Sequence, residues 1–113
     1  MTWKMFIDDE RFPIDQNAII ARTMQEAQSL IDEKGCPNDI MFDHDLGQDI
    51  PTGFDFAKWL VEKDLDAQGK FLPVDFIFSV HSQNPQGKKN IEGLLNPYLE
   101  YKKKSSSAKK MKL

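Results

Sequence analysis

The sequence predicts an α/β domain: a parallel sheet of about four strands, in the order 2-1-3-4, with a degraded first crossover. Three observations predict it. Short apolar runs alternate with segments of helical periodicity, in the order β, β, α, β, α, β, α, and this rhythm with right-handed crossovers belongs to parallel sheets. Gly and Pro punctuate the intervals between the elements. Acidic residues and both histidines follow directly on the strand signals, and an open parallel sheet binds ligands outside the carboxyl ends of its strands.

The first strand is expected near Lys4–Ile7, and the polar segment after it, with Pro13, reads as a loop rather than a helix. Ala18–Ala21 is a short second strand. Thr23-Met24-Gln25-Glu26 is a capping box opening a helix, whose apolar face holds Ala27, Leu30 and Ile31 and whose end is Gly35. A third strand runs from Ile40 to Asp43. Thr52-Gly53-Phe54-Asp55 resembles a second capping box, and Phe54, Ala57, Leu60 and Val61 give its helix a buried side. The fourth strand, Val74–Val80, is long and aromatic, as suits a strand covered on both faces. Asn84-Pro85 starts the last helix, with Ile91, Leu94, Leu95, Tyr98 and Leu99 as its stripe; Pro97 is expected to kink or restart it.

The 113 residues suit one domain, and a single cysteine, Cys36, excludes an internal disulfide. The charge of −3 is unevenly spread. Residues 102–113 hold six lysines and no acid, whereas residues 1–101 hold nine basic and eighteen acidic residues. The boundaries expected are a folded body at 1–101 and a disordered Lys/Ser-rich tail at 102–113, suited to weak contact with nucleic acid. No apolar run is long enough to span a bilayer, and the N-terminus lacks the pattern of a signal peptide. A cytoplasmic protein without a membrane partner is therefore expected.

The chemistry concentrates at three strand ends. Asp8 and Asp9 follow the first, Asp43-His44-Asp45 the third, and His81-Ser82 the fourth. Asp8, Asp9 and Asp43 are hard oxygen donors of the kind that bind Mg²⁺ (or Mn²⁺) with water and phosphate completing the shell. His44 and His81 suit a general acid and base, since imidazole titrates nearest neutrality, and Asp43 and Asp45 are placed to orient them. Ser82, Asn84, Gly87 and Lys88 surround the start of the last helix, where free N–H groups and the helix dipole favour a phosphate.

These segments resemble a receiver domain of the phosphorelay type. Asp43-His44-Asp45-Leu46 is similar to the receiver's phosphoacceptor segment and Thr52-Gly53 to the opening of the following helix. A fifth strand with the receiver's lysine is missing, and histidines occupy the site. The closer resemblance is to the receiver-like family predicted to process cyclic phosphates, carried by Phe6-Ile7-Asp8-Asp9-Glu10-Arg11, Phe42-Asp43-His44-Asp45-Leu46-Gly47, Val80-His81-Ser82-Gln83-Asn84-Pro85-Gln86-Gly87 and Asn90-Ile91-Glu92-Gly93. It implies a small flavodoxin-like three-layer sandwich. It also implies a phosphoesterase acting on a cyclic nucleotide or on an RNA end with a 2′,3′-cyclic phosphate. The alternative is a non-catalytic receiver-like module that binds a nucleotide signal or a protein partner.

Overall fold

Lys4, Met5, Phe6 and Ile7 form the first strand, β1, and its last three residues are buried. A strand apolar on both faces belongs in the middle of a sheet, and β1 pairs in parallel with β2 (Ile19–Ala21) on one side and β3 (Asp39–Phe42) on the other. A fourth parallel strand, β4 (Ile77–Val80), adds to β3, so the order is β2-β1-β3-β4 as the sequence predicts. This is the α/β, receiver-like architecture. The computed structural model describes residues 2–8, 11–42, 53–81 and 85–111.

Three helices follow β2, β3 and β4: α1 (Met24–Lys34), α2 (Gly53–Asp66) and α3 (Pro85–Met111). Thr23 caps α1, its Oγ1 accepting the Glu26 N–H at 3.0 Å. The return half of the capping box shifts by one residue, since Glu26 Oε2 accepts from the Arg22 N–H. Gly35 closes α1 at φ 84°, a left-handed conformation that other residues reach only with strain. Gly53 opens α2 where a side chain would crowd the fold: a β-carbon there would lie 3.3 Å from Ile91 of α3 and 3.5 Å from Phe42 of β3.

One core joins all three helices to one face of the sheet. Met5, Ile7, Ala21, Ile40, Phe42 and Val80 from the strands meet Ala27 and Ile31 of α1, Phe56, Ala57 and Leu60 of α2, and Ile91 and Leu95 of α3. Handedness explains the arrangement: the crossovers β2-α1-β3 and β3-α2-β4 move the same way across the sheet, so right-handed connections put both helices on one side. Phe6 points to the other side, outside this core, and is still only 3% exposed. The β1–β2 loop runs on that side, where its Asp15 pairs with Lys4 at 2.9 Å. The degraded first crossover thus supplies a layer of its own, made of loop instead of helix.

Three details depart from expectation. β4 starts at Ile77 rather than Val74, because Pro73 opens a turn closed by the Phe76 N–H on the Pro73 carbonyl. That strand is also an edge, and Ile77 is 60% exposed rather than covered on both faces. Finally, α3 is continuous through Pro97, where the sequence predicts a kink or restart, and is helical from Pro85 to Met111. Propagating an existing helix is easier than nucleating one, and lysines near a carboxyl terminus favour the helix dipole. Lys102 is anchored as well, by an ion pair with Asp64 at 2.9 Å.

Candidate functional site

Strand register decides what can meet. Ile7 of β1 stands beside Phe42 of β3, and Phe42 beside Val80 of β4. The chain therefore leaves all three strands at one level, and the next residues in sequence are Asp8, Asp43 and His81. Asp8 is fully buried although its side chain is polar. Its N–H continues the ladder to the Ala21 carbonyl at 3.1 Å, and its Oδ1 accepts the Arg11 N–H at 3.2 Å. His81 also extends the ladder, its N–H reaching the Phe42 carbonyl at 2.7 Å. Its side chain is exposed, so the imidazole stands at the strand end open to a ligand.

The helices add polarity at this same end. α2 begins against Phe42, and α3 begins at Pro85, with only four residues between it and β4. Both amino termini, with their positive dipole ends, therefore lie at the carboxyl edge of the sheet. Gly87 and Lys88 fall in the first turn of α3, with Gly87 half-buried and Lys88 exposed. Nearby, the Gln86 side-chain amide donates to Asn90 Oδ1 at 2.9 Å.

Of the residues singled out from sequence, the structure thus places Asp8, His81, Gly87 and Lys88 at one end of the sheet. Asp9, Asp43, His44, Asp45, Ser82 and Asn84 lie outside the described residues. Among the described residues no group of three or more His, Cys, Asp or Glu side chains could hold a metal ion. Of the three carboxylates expected to ligate Mg²⁺, only Asp8 is described. No described helix is long and apolar enough to cross a membrane.

Two residues at this end carry no signal in the motifs. The Arg22 guanidinium reaches over from the end of β2, donating from Nη1 to the Asp8 carbonyl at 3.2 Å and to the Arg11 carbonyl. It also lies over the Phe12 ring, 4.9 Å from the centroid. A lone arginine between a strand and a capping box reads as ordinary surface; only the fold brings it back to Asp8.

A second polar cluster was missed outright. Asp64, on the last turn of α2, is fully buried. Its Oδ1 accepts the N–H groups of Phe71 and Leu72 at 3.0 and 2.8 Å. Its Oδ2 accepts the Tyr98 hydroxyl and pairs with Lys102. Burial pushes this carboxyl up, but the Tyr98 hydroxyl, the Leu72 amide and the Lys102 ammonium outweigh it and hold it below the usual aspartate range. Burial and then donation to Asp64 keep the Tyr98 hydroxyl protonated well above its ordinary value. Burial likewise pushes the Cys36 thiol up to about 12, which suits a structural thiol and not a nucleophile.

Sheet order, parallel register and acidic strand ends define a receiver-like α/β domain whose carboxyl edge is its working end. The chain matches the cyclic-phosphate processing receiver domain family over residues 3–97, and it belongs to that family. No curated protein and no solved structure matches it.

Proposed function

We propose that this protein hydrolyses a cyclic phosphodiester, either a cyclic nucleotide or the 2′,3′-cyclic phosphate of an RNA end. The observation that supports the reading best is the shared level of the β1, β3 and β4 ends, which sets buried Asp8 and exposed His81 on one edge in a chain of this family. His44 and His81 divide the proton work. One takes a proton from water as its oxygen attacks phosphorus; the other gives a proton to the ring oxygen as the endocyclic P–O bond breaks, leaving a phosphate monoester. Asp43 and Asp45 orient the imidazoles. Ser82, Asn84, Gly87 and Lys88 hold the phosphate oxygens at the start of α3. Asp8, Asp9 and Asp43 are the carboxylates we assign to Mg²⁺ or Mn²⁺. Such an ion would neutralise charge on the phosphoryl group.

The test is direct. Purified protein is incubated with cyclic nucleotides and with RNA carrying a 2′,3′-cyclic end, with EDTA or with excess Mg²⁺, and monoester formation is followed by ³¹P NMR. Ring opening that depends on His81 supports the assignment. Binding of the same compounds without turnover would favour a non-catalytic module.

A further inference from the structure

We infer that Phe12, backed by Arg22, is a nucleobase platform, so that the ligand of the strand-end site is a nucleotide and not a base-free cyclic phosphate; this rests on the function proposed above. Phe12 is 77% exposed. It sits four residues after Asp8, on the loop whose first turn is tied to the Asp8 carboxylate through Arg11. Single exposed apolar residues are common, but this ring is held. Arg22 lies 4.9 Å from its centroid, and the guanidinium is itself pinned to the Asp8 and Arg11 carbonyls. A ring with such a cation over it and this degree of exposure keeps a surface open, which is what a flat base stacks on. Every base has a π-face, so such a platform recognises nucleotides as a class without reading their sequence. The geometry is consistent with the rest of the edge. The platform lies on the β2 side of Asp8, at the same end of the sheet as His81.

The experiment pairs adenosine 2′,3′-cyclic phosphate with glycerol 1,2-cyclic phosphate, which has the same five-membered ring and no base. The expected result is that Phe12→Ala raises KM for the adenosine compound roughly 5- to 150-fold, the range of base–aromatic stacking. It leaves kcat and the glycerol reaction unchanged, and Phe12→Tyr restores the wild-type KM. In the unsubstituted protein, the Phe12 ring resonances move upfield on titration with the adenosine compound. Equal losses on both compounds in Phe12→Ala would mean that the ring merely braces the loop, and would overturn the platform. So would ring resonances that stay put at millimolar nucleotide. If neither compound is hydrolysed but the ring resonances still move, the platform stands and the hydrolytic reading falls.

Discussion

Two aspartates are fully buried in the described part of this protein, and they sit in opposite settings. Asp64 is enclosed by donors from two parts of the chain: two amides after α2, and a hydroxyl and an ammonium from α3. Each carboxylate oxygen has two partners, so the group ties α2, the α2–β4 connection and α3 together. Asp8 stands where β1 stops, next in sequence to Asp9 and Glu10, and at the level of a neighbouring strand end that leads into Asp43-His44-Asp45. One buried carboxylate is surrounded by compensating positive and hydrogen-bonding groups. The other has acids as its neighbours in sequence and the Arg22 guanidinium on its own backbone carbonyl. Burial of an acid alone therefore says little about its role; the groups around it and its place in the fold say more.

That contrast can be broken most sharply by activity. His44→Ala and His81→Ala should each lower turnover of the cyclic substrate by about 10²–10⁴-fold while the protein stays folded, since strand-end side chains add little to the core. The wild-type pH profile should be bell-shaped, with limbs that belong to the pair. Full activity in either folded variant would remove that histidine from the mechanism.

Asp64→Ala should do the reverse: roughly 2–4 kcal/mol lost from stability, from the stranded amides and hydroxyl, with kcat retained at low temperature. For a domain of this size that is a fall of roughly 10–15 °C in Tm, read by calorimetry. A variant that melts like the parent would show the clasp to be ornamental.

Metal should sharpen the contrast on a smaller scale. Mg²⁺ or Mn²⁺ at tenfold its Kd stabilises by about 1.4 kcal/mol, so thermal melts should shift upward by several degrees, and Asp43→Asn or Asp8→Asn should abolish the shift while Asp64→Asn preserves it. Identical melts in EDTA and in excess metal would refute the metal assignment without touching the histidines.

A comparably small effect is expected from Tyr98→Phe, about 1.5 kcal/mol, the low end for a hydrogen bond to a charged group. Its pH dependence carries the diagnosis. The Asp64 value is lowered in the folded state, so its contribution is complete above pH ~4 and is lost as pH falls through the folded value. The Tyr98 value is raised, so its contribution is complete below pH ~10 and is lost as pH rises through the folded value. Denaturant titrations across pH should therefore show Asp64→Asn flattening the acid limb and Tyr98→Phe the alkaline one.

The sheet was legible because its signals are local and repeated: apolar runs of strand length, helical spacing between them, and caps such as Thr23. The convergence of the strand ends is legible because the strands of a parallel sheet all end on one edge, and acids follow β1 and β3 and a histidine follows β4. Asp64 was not, since Glu62-Lys63-Asp64-Leu65-Asp66 looks like a solvated charged turn. The spacing Ala57, Leu60, Asp64 did put it on the buried stripe, and that was the overlooked signal. Lys102 was assigned to the tail by composition, although with Ile91, Leu95 and Tyr98 it continues one face of α3 at intervals of four, three and four. Phe12 and Arg22 could not be paired from sequence at all, because their contact depends on β2 returning beside β1.

The β1–β2 loop is fastened at two points, to Asp8 through Arg11 and to Lys4 through Asp15. Between those fastenings it carries the Phe12 ring, and Phe6 of β1, which shares the strand face of Lys4, is only 3% exposed. Full burial of a ring of this kind is worth roughly 1.5–3 kcal/mol. The face of the sheet that carries no helix of the core thus still holds a closed apolar side chain on its central strand, and the hydrogen exchange of β1 would report any loosening of what shields it.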